Sequence, residues 1–340
     1  MPAFAARKVA TRRESSFNQT NATINNTNGA IINGITSATI EWADRSKQKR
    51  YLTGNLVPAT VFEQMAEGAK LQIAGDMTIE DVVMLLDSAV VATTGAGTSA
   101  PYTWSFPFPV SSAPSLKTRT IEIHDGSSST GYMARGALVT SFQLAGTAGM
   151  DNVVTFTSTW DACKVEASTP SITNTRTFTR LPTGKIALYV DTAGGTIGTT
   201  AADATLIGWT LAVSNLAHLK RFQSGSLQPS AYGVNVPDIT LTTQVEVNAT
   251  SYAWIGANLT PGAVRLLQIS GTSTTNKALS IKGPFDPITI APVFGEDRDG
   301  NAIVSITWKP RLDDSTTNGG YTNSLGGIYV TSTTNAHPDA

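Results

Sequence analysis

Apolar and polar residues alternate with a period of two along several stretches of this chain. From Val153 to Trp160, the residues Val154, Phe156, Ser158 and Trp160 fall on one face, and Val153, Thr155, Thr157 and Thr159 on the other. That is the pattern of a strand buried on one side. From Asn301 to Trp308, the residues Ala302, Val304, Ile306 and Trp308 occupy the matching face. Lys117 to His124 sets Ile121 and Ile123 against Thr120, Glu122 and His124, which predicts an antiparallel strand with one wet side. Asp125-Gly126 and Gly131 mark a turn leading to a partner strand at 132–140, and Asp299-Gly300 marks another between 288–294 and 302–308. A helical period stands out only at Ile79, Val82, Val83 and Leu86, with Thr78 placed to cap and Glu80 and Asp81 in the first turn. It predicts a helix over 78–91 that packs on the flank of the sheets.

Short segments recur in the same order. Thr36 to Asp44 lines up with Thr183 to Asp191, and Arg135-Gly136 with Lys282-Gly283, both 147 residues apart. Tyr102-Thr-Trp104 returns as Tyr252-Ala-Trp254 after 150 residues, and the strand ending at Trp160 returns at Trp308 after 148. A looser pair, Asp76 to Ile79 with Asp238 to Leu241, is 162 apart. A nearly constant spacing implies an internal duplication. It divides the 340 residues into an N-terminal arm (1–35), copy A (36–165), a linker (166–182), copy B (183–312) and a C-terminal tail (313–340). Each copy is expected to be an antiparallel β-sandwich or barrel with its own core. In the tail, Gly327 to Val330 can add an edge strand. Thr39 and Glu41 match Ile186 and Leu188 at the 147-residue offset, so the copies are not interchangeable.

Composition sharpens the fold class. The chain has 49 threonines, as many as its 24 basic and 25 acidic residues together, and threonine favours strands. A formal net charge of −1 offers no basic field to hold a nucleic acid by counterion release. The single cysteine, Cys163, excludes an intrachain disulfide. No apolar run has the length of a membrane span, the best being interrupted at Asp87, and residues 1–10 lack a signal-peptide apolar stretch. These features read as a soluble protein made in the cytosol, with no membrane insertion.

No catalytic, cofactor-binding or metal-binding constellation emerges. His124, His218 and His337 have no partners at motif spacing, and one cysteine with scattered histidines disfavours zinc. No nucleophile elbow, phosphate loop or dinucleotide fingerprint is present. Asp297-Arg-Asp299-Gly-Asn301 begins like a calcium loop, but the glycine falls one place early and Trp308 stands where a bidentate glutamate is needed. The Asn-x-Thr triplets at Asn18, Asn21, Asn25, Asn248 and Asn258 follow from the composition.

The order of features resembles the major tail tube proteins of long, non-contractile-tailed bacteriophages. The resemblance is carried by a polar arm and a strand ending in Asp44, then a long segment opening with the basic run Arg45-Ser-Lys-Gln-Lys-Arg50. Next come the passage Gly75-Asp-Met-Thr-Ile-Glu-Asp-Val-Val-Met-Leu-Leu86, Pro101-Tyr-Thr-Trp104, Gly131-Tyr-Met-Ala-Arg-Gly-Ala137 and the strand ending at Trp160. It covers copy A well and copy B more weakly.

The resemblance implies a structural virion protein, assembled in the host cytoplasm, whose sandwiches close laterally into rings. The rings stack into a hollow tube for genome delivery. Asp44 to Gly75 would be the ring-stacking loop, with Arg45, Lys47, Lys49, Arg50 and Tyr51 as contacts, and Thr192 to Pro237 its counterpart. Glu122, Thr155, Thr157 and Thr159 would face the lumen. The partners implied are the chain itself, as a homotrimer with pseudo-sixfold symmetry, the tape measure and tail-completion proteins, and DNA in non-specific transit. The residues leave two alternatives open: a carbohydrate-binding or adhesin-like module stacking sugars on Tyr252 and Trp254, and another virion component such as a tail-terminator or capsid-decoration protein.

Overall fold

The period-two stretches become strands, and their apolar faces meet across a layered antiparallel assembly in the computed structural model of the chain. The structure describes residues 8–18, 23–42, 45–51, 59–124, 131–169, 171–173, 176–202, 205–223, 225–247, 264–298, 301–312, 321, 324–337 and 339, with backbone alone at 45–51, 59–63, 290–298 and 301.

The first part of the chain holds β1 (Lys8–Arg13), β2 (Ala30–Ile31), β3 (Ile35–Trp42), β4 (Arg45–Tyr51), β5 (Ala59–Ala66), β6 (Ala69–Asp76) and α1 (Ile79–Ala89). These are followed by β7 (Tyr102–Pro107), β8 (Arg119–His124), β9 (Gly131–Thr147), β10 (Thr155–Ala162) and β11 (Lys164–Ser168). The second part holds β12 (Ile186–Thr192), β13 (Leu206–Ser214), β14 (Ala217–Lys220), β15 (Ala231–Val234) and β16 (Asp238–Glu246). It ends with β17 (Arg265–Thr274), β18 (Lys277–Arg298), β19 (Asn301–Pro310) and β20 (Gly327–Ser332).

One pairing pattern occurs twice. In the first part β8 pairs with β9, β9 with β10, β10 with β6, and β6 with β3. In the second part β17 pairs with β18, β18 with β19, β19 with β16, and β16 with β13. The flanks repeat as well: β1 lies on β8 as β12 lies on β17, and β11 lies on β9 as β20 lies on β18. Hairpin β4–β5 follows β3, and hairpin β14–β15 follows β13, each a two-stranded sheet of its own. Two of the ladder irregularities coincide as well. One residue is skipped between Ile35 and Ser37 of β3 and between Leu206 and Gly208 of β13; another is skipped at Thr140 of β9 and at Ile288 of β18. Such bulges set the local bend of a strand.

This pattern corrects several sequence expectations. The place of β3 is taken in the second part by β13, 171 residues on, while Ile186–Thr192 takes that of β1. The match of Thr36–Asp44 to Thr183–Asp191 therefore joined strands with different neighbours. Asp76 ends β6 whereas Asp238 begins β16, so their match fails too. Asp44–Gly75 is not one loop, because Ala69–Asp76 is a sheet strand with Leu71 and Ile73 buried. Within its counterpart, 206–214 is likewise a sheet strand. The arm contributes β1, and 164–168, partly placed in the linker, forms β11. The pairing pattern spans 8–168 and 186–332. Tyr252 and Trp254 lie outside the described residues, while Trp104 is buried in β7 and donates from its indole nitrogen to the Thr334 carbonyl at 3.2 Å.

Separate cores are not formed. Buried side chains from Val9 to Val330 make one contiguous cluster, because β13 pairs directly with β9 and carries the sheet from one part into the other. Trp160 and Trp308 flank matching bulges in that core. The Trp160 indole donates to Ser158 Oγ on its own strand at 2.9 Å, and the Trp308 indole donates to Thr243 Oγ1 on the neighbouring strand at 2.9 Å. Satisfying the buried indole N–H accounts for Ser158 on an otherwise apolar face. Thr78 caps α1, its hydroxyl accepting from the Asp81 amide at 3.2 Å. The helix is enclosed rather than flanking: even Asp81, Asp87 and Ser88 are buried. Gly136 takes φ +61 at the bend of β9, where a Cβ would meet Cys163 Sγ at 2.6 Å.

Candidate assembly surfaces

Eight strands form one ribbon in the order β18-β19-β16-β13-β9-β10-β6-β3. Its inner face is the core. Its outer face follows from the same alternation, and the ladder registers place its residues in rows. One row runs from Thr155 through Ala145, Thr210, Thr242 and Thr307 to Thr289. A second holds Ala74, Thr157, Gln143, Ala212 and Thr240, and a third Thr39, Gln72, Thr159 and Ser141. Thr155 and Thr157 are exposed and Thr159 is half-buried. Charge enters where the rows end: Asp76 lies opposite Thr155, Lys309 lies opposite Asp286 and 2.9 Å from Asp238, and Glu41, Lys70 and Asp161 stand side by side.

Glu122 is not on such a face. All six residues of β8 are buried, and Glu122 is 3% exposed. The expected wet side is covered because β1 of the arm pairs along the whole of β8. Arm residue Glu14 reaches under it: its carboxylate accepts from Thr118 Oγ1 at 2.7 Å, Thr120 Oγ1 at 2.8 Å and the Gly136 amide at 2.9 Å. Burial raises the Glu122 pKa, against the opposing influence of Ser168 and Lys8. Glu122→Lys is therefore expected to lower the thermal midpoint of the isolated chain by several degrees, since it puts a cation in a covered site. An unchanged midpoint would show the site to be open.

Among the described residues, no further strand pairs with the two ends of the ribbon. β3 is its last strand, with β6 on one side, and Trp42 on it is 49% exposed. At the other end, β18 is paired with β19 over 285–298 but with β17 and β20 only up to Phe285. Strand margins of this length invite pairing with another chain. Sequence reading missed both margins, although Trp42 beside alternating Ile40 and Ala38 was the available signal.

The basic run Arg45, Lys47, Lys49, Arg50 and Tyr51 lies on β4, an ordered strand of hairpin β4–β5; the side chains of these residues are outside the described set. Cys163 is buried, and burial pushes its thiol up to about 12, with Glu14 adding to the rise, so it is an inert packing residue. In the candidate calcium loop β18 and β19 pair down to Arg298 and Asn301; Asp299 and Gly300 lie outside the described residues.

Among the described residues, the mainly-β antiparallel fold thus presents a threonine-rich ribbon face with charge at its ends, and two strand margins without a further paired strand. No protein-family model matches the chain, and no curated protein matches it in sequence.

Proposed function

We propose that the chain is a duplicated structural subunit that joins other copies head to tail into closed rings, stacked as the tube of a long, non-contractile phage tail. The observation that carries this reading is the joint between β13 and β9. It connects the last strand of one four-strand set to the first strand of an equivalent set. The same joint, repeated between molecules, brings β3 of one chain to β18 of the next.

The repeated bulges fix its register. Shifting the internal joint by the matched positions pairs Thr39 with Val293, Ile40 with Pro292 and Trp42 with Ile290 of the next chain. Side-chain size supports this. Trp209 lies opposite Gly146 in the internal joint, where a Cβ on the glycine would meet the indole at 2.7 Å. In the intermolecular joint the corresponding pair is Ala38 and Phe294, small against large in the reverse sense. A heterologous contact of this kind closes into a ring when its rotation permits. Three chains would contribute twenty-four strands, eight each, more than the roughly 16–18 that already leave an aqueous channel in other barrels. The threonine-rich face, turned inward, would let DNA pass without the grip that a cationic wall exerts. The tape measure protein would occupy the lumen before DNA, and tail-completion proteins would cap the open margins at the tube's ends.

Negative-stain microscopy and native mass spectrometry of the purified chain test the reading. Hollow rings or tubes with three chains per ring are expected. Six chains per ring would overturn the stoichiometry, and a protein monomeric at all concentrations would overturn the assembly.

A further inference from the structure

Resting on the head-to-tail reading, we propose that hairpin β4–β5 is a lateral clasp that docks on the β18 region of the next molecule in the same ring, rather than a contact reserved for stacked rings. The chain already contains one instance of this contact. Hairpin β14–β15 does not lie over its own strand set but crosses the β13–β9 joint. Its Ala217, Leu219, Tyr232 and Val234 pack on Leu116 and Leu138 of the first part. The contact is tied by polar bonds: the Leu216 amide donates to the Thr140 carbonyl at 3.2 Å, the Tyr232 hydroxyl to the Leu116 carbonyl at 3.3 Å, and Asn18 Nδ2 to Gln228 Oε1 at 2.9 Å.

Hairpin β4–β5 occupies the same place after β3. Carried along the strands from the matched bulges, Ser46 opposite Gln64 corresponds to Ala217 opposite Val234, and Gln48 opposite Phe62 to Leu219 opposite Tyr232. The seat has an equivalent too. Leu138 and the bulge residue Thr140 of β9 correspond to Asp286 and the bulge residue Ile288 of β18. In the single chain the first seat is filled, with Leu138 1% exposed, whereas Ile288 is 46% exposed and Met65, beside Ala66 on the hairpin, is 50% exposed. The residue types change together: where Leu219 packs with Leu138 within the chain, the matched positions between chains are Gln48 and Asp286. Apolar contact suits a joint made once during folding, and a polar one suits a joint found by diffusion between molecules.

Two engineered disulfides test the clasp in the full chain, whose own Cys163 is buried. Thr39→Cys with Val293→Cys reports the strand joint, and Gln48→Cys with Asp286→Cys reports the clasp. Oxidised rings are expected to show both as covalent dimers and trimers on non-reducing gels. A strand-joint crosslink without the clasp crosslink, or a clasp crosslink found only in stacked tubes and absent from single rings, overturns the clasp and leaves ring formation standing. Absence of both overturns the clasp along with the reading beneath it. As a second measure, Ile288→Asp at the exposed seat should weaken ring assembly at least tenfold while leaving the thermal midpoint of the isolated chain unchanged. Unimpaired assembly together with no clasp crosslink overturns the clasp.

Discussion

Replacing Arg119 with alanine is expected to cost about 3–5 kcal/mol of stability, the range for stripping one partner from a buried ion pair. Its side chain is 1% exposed and lies among two acids from distant parts of the chain: Asp87 Oδ2 of α1 at 3.3 Å, and Asp339, which it contacts through Nη1. Nε also donates to Ser88 Oγ at 2.8 Å. Without the guanidinium, Asp339 is left with His337 inside the protein, and Asp87 with Arg13 at 3.4 Å, His337 and the Thr93 amide at 3.3 Å. Burial alone would raise the Asp339 pKa, but Arg119 and His337 hold it below the usual range. The cluster pins the C-terminal residues to α1 and β8 near the other end of the sequence. Urea unfolding should therefore show the loss in Arg119→Ala, accompanied by faster proteolysis of the tail, with Arg119→Lys intermediate because it keeps the charge without the fork. A loss under about 1 kcal/mol would mean that water reaches the cluster.

The same cluster gives a pH dependence. Burial would lower the His337 pKa, but the carboxylates of Asp339 and Asp87, at 3.5 and 3.4 Å, outweigh it and raise the value above the ordinary 6.5, with Arg119 opposing them. Arg13 is the remaining charged group facing it through Asp87. A group with a raised folded pKa adds stability that is complete below its unfolded pKa and disappears as pH rises through the folded one. Stability relative to His337→Gln should thus be greatest below about pH 6.5 and should decline above it. A difference independent of pH would show that the ring stays neutral.

The second large effect concerns assembly rather than folding. Thr39→Lys combined with Trp42→Lys is expected to leave the chain folded, with a thermal midpoint within a few degrees of the parent, while weakening ring formation at least a hundredfold. Thr39 is exposed and Trp42 is 49% exposed on the outermost strand, so neither lysine displaces core. Lysines on an open strand margin are the device by which natural sheets refuse an incoming strand. Sedimentation velocity would measure the change. Unimpaired rings would mean that β3 is not the joining margin. The same pair of lysines placed at Thr210 and Val213, inside the internal joint, should instead compromise folding.

Local periodicity carried much of the fold. The strands at 155–162 and 301–310, the capped helix from Thr78, the hairpin partners of β8 and β18, and a strand beginning at Gly327 all follow from alternation, capping chemistry and turn residues acting over a few positions; that last strand, expected at an edge, lies instead between β18 and β7. Strand β6 escaped because its Leu71-Gln72-Ile73-Ala74 alternation is short and follows a basic run that draws attention to itself. The buried state of Glu122 escaped for a different reason. Nothing near it in sequence announces that Lys8–Arg13 will pair along its strand, more than a hundred positions away.

What the sequence by itself determined was the class of the protein: a threonine-rich, weakly charged chain written in alternating strands, with a core face set by Trp160 and Trp308 and their neighbours. Tertiary structure alone decided which strands correspond, that the two sets share one core through β13 and β9, and which strands end the ribbon among the described residues. The physical reason is that backbone hydrogen bonds between strands are nearly blind to side chains. Alternation tells a strand which face to bury, whereas its neighbour is chosen by bulges, hairpin lengths and the packing of the whole sheet.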